Sequence, residues 1–94
     1  GARYGEFDEH ARITQNIKRA MIDSPNWAKL SDDKKEALDM VAHKIGRILN
    51  GDPEYHDSWH DLVGYAKLVA DALNKPVAKV IKATKMKPTP SIYV

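Results

Sequence analysis

Asp57-Ser58-Trp59-His60-Asp61-Leu62-Val63-Gly64-Tyr65-Ala66 is the stretch that decides how this chain folds. Followed to residue 73, its apolar positions recur at Trp59, Leu62, Val63, Ala66, Val69, Ala70 and Leu73. That spacing belongs to a helix with one face committed to a core. A neighbouring row holds Asp61, Tyr65, Leu68 and Ala72, with Asp57 one turn earlier on the same side. Asp61 thus heads an otherwise apolar or amphipathic row, where a carboxylate is costly unless something meets it. Gly64, in mid-helix, costs roughly 1 kcal/mol against Ala and predicts close approach by a backbone or a ligand.

The residues before this helix read as two more. Glu6 or Asp8 caps a first helix from about Phe7 to Ile22, with an inward stripe of Ile13, Ile17, Ala20 and Met21. Asp23-Ser24-Pro25-Asn26 stops it, and Trp27 and Leu30 plug the connecting loop onto the core. A second helix starts between Ser31 and Asp33, where Asp33 and Glu36 have the spacing of a capping box, and runs to about Asn50. Its stripe is Leu38, Val41, Ala42, Ile45, Ile48 and Leu49. Asn50-Gly51 supplies a left-handed stop, and Pro53 prevents resumption.

Beyond Leu73, Asn74-Lys75-Pro76 reads as a break, followed by a short fourth helix through Val77, Val80, Ile81 and Thr84. Pro88 and Pro90 make the remainder an extended tail. The expected fold is therefore all-α: a small bundle of three main helices plus a short fourth, with one domain at 1–85 and the tail at 86–94. Three helices of this length bury little, so a second copy forming a larger bundle is the natural supplement.

The 94 residues carry a net charge of +2, too little to announce nucleic acid. Lys75, Lys79, Lys82, Lys85 and Lys87 do form a basic strip, which reads as a solvated face or as a contact for nucleic acid or an acidic partner. With no cysteine, disulfide frameworks and thiolate metal sites are excluded. No apolar run approaches the roughly 20 residues of a membrane helix. Phosphate loops, dinucleotide fingerprints and nucleophile elbows are absent.

The chemistry-bearing residues lie on the second and third helices. Glu36 and Asp39 are i,i+3 neighbours, Asp39 and His43 are i,i+4, and Lys44 and Arg47 are i,i+3. Lys44 and Arg47 have the spacing of a clamp for phosphate oxygens. Glu36, Asp39, Asp57 and Asp61, if they converge, make the all-oxygen set that magnesium prefers. Glu36 and Asp39 are also what a solvated first turn carries, and Asp57 what a cap carries; Asp61 has no such explanation. Trp59 reads as a core anchor, while Tyr65 and Tyr4 are candidate walls for a base.

Two resemblances attach to these residues. Arg3-Tyr4-Gly5-Glu6, the run from Glu36 through Lys44-Ile45-Gly46-Arg47-Ile48, Asn50-Gly51-Asp52-Pro53 and 57–66 together resemble a family of small phage and prophage proteins with no assigned activity. That likeness implies residence in the cytoplasm of a bacterial host. More remotely, the layout is similar to the all-α MazG-like nucleoside triphosphate pyrophosphohydrolases, which hold magnesium with E-x-x-E on one helix and E-x-x-D on the next. Glu36-x-x-Asp39 takes the place of the first pair, and Asp61 that of the last carboxylate. Ser58 stands where the remaining glutamate belongs, with Asp57 adjacent.

The resemblance implies a Mg²⁺-dependent hydrolase of nucleotides, or a relative that binds nucleotide without turnover. In the hydrolase, Asp61 and Asp39 are catalytic, Glu36, Asp39, Asp57 and Asp61 hold the metal, and Lys44, Arg47, Tyr65 and Tyr4 hold the nucleotide. The competing expectation is a non-enzymatic module that engages a host or phage protein, for which an extended apolar end such as Ser91-Ile92-Tyr93-Val94 is suited.

Overall fold

The computed structural model describes residues 5–83, with side chains from Gly5 to Asn74. The fold is all-α: α1 (Phe7–Ile22), a single 3-10 turn at Trp27–Lys29, α2 (Asp32–Asn50) and α3 (His56–Ala83). Asp8 and Glu9 occupy the first turn of α1, where the helix dipole favours them. Beyond its last turn the Asp23 N–H donates to the Arg19 carbonyl, and the Ser24 hydroxyl donates to that of Ala20 at 2.8 Å.

Helix α2 begins one residue before the capping box expected at Asp33. Ser31 is the N-cap residue, and its hydroxyl donates to the Asp33 carboxylate instead of accepting from a helix N–H. That bond holds the Asp33 carboxyl below the usual carboxylate range. At the other end Gly51 has φ −111°, so the stop is not left-handed; its N–H still reaches the Arg47 carbonyl at 2.8 Å. Among the described residues the left-handed glycine is Gly5, at φ +69°, whose backbone lies against Asn50. Beside it, the Asn50 amide donates to the Glu6 carbonyl at 2.8 Å and ties the start of α1 to the end of α2.

Helix α3 starts at His56, not at a cap formed by Asp57 or Ser58, and it runs unbroken to Ala83. The short fourth helix expected after Pro76 is therefore the last part of α3. A proline inside a helix removes one N–H and opposes the preceding turn, but helix on both sides can bridge that local loss.

Helix α2 lies in the middle, packed against α1 on one side and α3 on the other, while α1 and α3 have no comparable contact. The shortest dimension of the molecule is 13 Å. The other two are 53 and 31 Å, and with α1 and α3 on opposite sides of α2 the helices form a flattened layer. Such a layer has two broad faces and little interior. Among the described residues the buried apolar side chains are Ala37, Ala42 and Ile48, joined by His10, Thr14, Lys44 and Ser58.

Several residues expected inside therefore lie outside. Leu38 and Leu49 of the α2 stripe are exposed, and Trp59, read as an anchor, is 51% exposed with its indole N–H donating to the Pro53 carbonyl at 2.8 Å. Trp27 and Leu30 are only half-buried. Their periodicity is helical as expected, but a central helix with neighbours on opposite flanks cannot also cover both faces. Tyr4, the 86–94 tail and the side chains of Lys75, Lys79, Lys82, Lys85 and Lys87 lie outside the described residues.

Candidate functional site

One broad face of the layer carries an ion pair and a groove, with exposed Leu68 beside them. There, Lys44 reaches across from α2 and places Nζ 2.7 Å from Asp61 Oδ2 on α3. This contact answers the question raised by the carboxylate at Asp61: a buried ammonium meets it. Lys44, with His60 and Arg47 contributing charge nearby, holds the Asp61 carboxyl below its ordinary range. One to two turns away, Glu36 and Asp33 rim a groove of about 510 Å³ whose floor includes Ala37, Met40, Tyr65 and Val69.

The carboxylates considered for magnesium do not assemble here. Asp57 accepts a hydrogen bond from the Tyr55 hydroxyl at 3.0 Å and lies 3.6 Å from His56 Nδ1. Glu36 belongs to the groove beside Tyr65, Asp61 to Lys44, and Asp39 is half-buried on α2. No three His, Cys, Asp or Glu groups gather as metal ligands among the described residues. The donor set within one chain does not fit a magnesium cradle. Lys44 and Arg47 do share this face, but Lys44 is buried against a carboxylate rather than presented to solvent.

On the other side of α2, facing α1, a histidine pair fills the seam. His10 Nε2 lies 3.3 Å from His43 Nδ1 and 3.4 Å from Thr14 Oγ1. The rings meet edge to face at 4.7 Å between centroids. His10 Nδ1 is buried without a hydrogen-bond partner among the described residues. Burial first, then the charges of Arg47, His10, Lys44 and Lys18, depress His43 to about 4. The ring is neutral at physiological pH. Gly46 makes the pairing possible: a Cβ there would stand 2.2 Å from Thr14 Oγ1 and 3.0 Å from the His10 ring.

Gly64, where close approach was expected, has nothing within 4 Å of a hypothetical Cβ. The glycine that admits a neighbour is Gly46. Its position beside His43 on the α1-facing side of α2 was the available signal, because a glycine in mid-helix needs a reason.

The opposite broad face is apolar and bare. The seven-residue apolar stripe of α3 is in fact two adjoining rows. Leu62 and Val69, with Ser58, Tyr65 and Ala72, are the buried or half-buried row turned to α2. Trp59, Val63, Ala66, Ala70 and Leu73 lie roughly 100° further round the helix. Of these, Val63 is 64% and Leu73 56% exposed. On α2, Leu38 and Leu49 fall by helical period on this same broad face, opposite the side of Glu36 and Met40. A shallow notch of about 250 Å³ opens between Val63, Ala66, Lys67 and Ala70. The stripe's width was the sequence signal for this second row: seven apolar positions within fifteen residues exceed what one neighbouring helix can cover.

Among the described residues no helix is long and apolar enough to cross a membrane. No family model, curated protein or solved structure matches the chain.

Proposed function

We propose that this chain is a non-enzymatic interaction module that works by burying its apolar broad face against another protein. The observation that carries the reading is the contrast between a very small interior, three apolar side chains of modest size, and a face lined by Trp59, Val63, Leu73, Leu38 and Leu49. Burial of apolar surface is worth about 25 cal/mol per Å². The part of a side chain left in water contributes nothing to the fold, and contiguous apolar patches mark contact sites. A nucleotide-phosphate site draws on fewer observations. A phosphate at Lys44 would have to displace Asp61, and the carboxylates that would hold magnesium lie apart.

The test separates a face spent on a partner from one spent on folding. V63S/L73S in dilute solution, where no association contributes, should keep its helical circular dichroism and unfold within about 0.5 kcal/mol of the parent. A loss of about 2 kcal/mol or more would mean that these side chains hold the fold together, and the reading fails.

A further inference from the structure

We infer that the partner of this face is a second copy of the same chain, packed through α3 on α3 about a two-fold axis. The inference rests on the interaction reading above and gives it an occupant. Trp59, Val63, Ala66, Ala70 and Leu73 follow one another at spacings of four, three, four and three residues. That is the alternation of a coiled-coil seam, and helix α3 carries it without interruption. The notch at Val63, Ala66, Lys67 and Ala70 occupies positions i, i+3, i+4 and i+7, the four residues that frame a hole for one side chain of a facing helix.

The seam is complementary to itself when the second helix runs antiparallel. Setting Val63 of one copy over Ala66 of the other brings Trp59 over Ala70, by the same register. The two-fold axis then repeats both contacts. Every one of these layers places a large side chain on a small one, which fills the notch with a branched aliphatic group and evens the separation along the seam. A parallel arrangement would oppose Trp59 to Trp59 and Ala66 to Ala66, with unequal gaps. Antiparallel helices also set opposite dipole ends side by side.

The area is adequate. Leu38, Leu49, Trp59, Val63 and Leu73 all stand substantially exposed. At roughly 100 Å² apiece they supply about 1,000 Å² across a two-fold contact, close to the ~1,200 Å² at which stable interfaces begin, before Ala66, Ala70 and the rim are added.

Sedimentation equilibrium of the full chain up to roughly 100 µM, with ANS fluorescence alongside, decides the matter. The expected result is a dimer that V63D and A66E each weaken by at least about 100-fold, both remaining helical by circular dichroism. A dimer that neither substitution weakens overturns the seam. A parent chain that is monomeric throughout and binds ANS overturns the second copy but leaves the interaction reading standing with a different occupant. A monomer that does not bind ANS removes both.

Discussion

Lys44 and Asp61 meet at 2.7 Å across the α2–α3 contact from unequal surroundings: the lysine side chain is 10% exposed and the aspartate 41%. Removing either partner is therefore not equivalent. Asp61→Asn leaves a buried ammonium without its counter-charge, whereas Lys44→Met leaves a carboxylate that water can reach. Urea titrations should rank D61N as the less stable variant, with K44M within about 1 kcal/mol of the parent. A reversed order would mean that the lysine is not held by this pair.

Gly46→Ala tests the closeness of α1 and α2. Alanine gains about 1 kcal/mol in helix propensity, but its Cβ would overlap Thr14 Oγ1 at 2.2 Å, and Thr14 is a buried, β-branched residue with little rotamer freedom. The net expectation is a loss of about 2 kcal/mol in denaturant unfolding. T14A should recover part of that loss in the double variant, since it removes the clashing oxygen while the His10 ring remains. Equal stability of G46A and the parent would show that the two helices are further apart.

Gly64→Ala has the opposite sign. With open space around the position, the substitution gains helix propensity and meets nothing. Thermal unfolding should show a stabilisation of about 0.5–1 kcal/mol. A destabilised G64A would reveal a neighbour at this position, and with it the close approach read from the sequence.

Acid should weaken the α1–α2 contact through His43. The unfolded ring takes up its proton near pH 6.5 and the folded one only near 4, so between these values the unfolded chain binds more protons. Stability is then full above pH 6.5, falls as the pH drops toward 4, and levels off below. Because His43 is only half-buried, solvent screening limits the loss to about 1–2 kcal/mol. Urea midpoints at several pH values check this, and His43→Gln should flatten the dependence within that window.

The helices themselves were legible because their signals are local. Pro25 and Asn50-Gly51-Asp52-Pro53 end them, and apolar residues recur at helical spacing between. Residues 7–22 have the sequence pattern of a helix and form one. Which face of each helix turns inward is legible only in part: Ala42 and Ile48 of the α2 stripe are buried, but how far the covered face extends depends on how many neighbours a helix has and on which sides. Leu38 and Ala37 are adjacent in sequence, yet the leucine is exposed and the alanine buried, since α3 lies on the alanine's side. The same arrangement explains the site residues. Asp61 was singled out for lacking a solvated explanation, and Lys44 was placed on the facing helix, but the contact between them depends on how α3 runs along α2. The His10–His43 contact was beyond reach, since it joins residues 33 positions apart through a gap that Gly46 leaves.

Among the described residues α2 is the helix packed against both of the others, so the two seams lie on opposite sides of one strut. Amide hydrogen exchange should then be slowest in α2, and either flanking helix can open without dragging the other with it. Lesions at Gly46 and at Asp61 should nonetheless sum only in part, because Lys44 and Arg47 lend charge to both His43 on the α1 side and Asp61 on the α3 side.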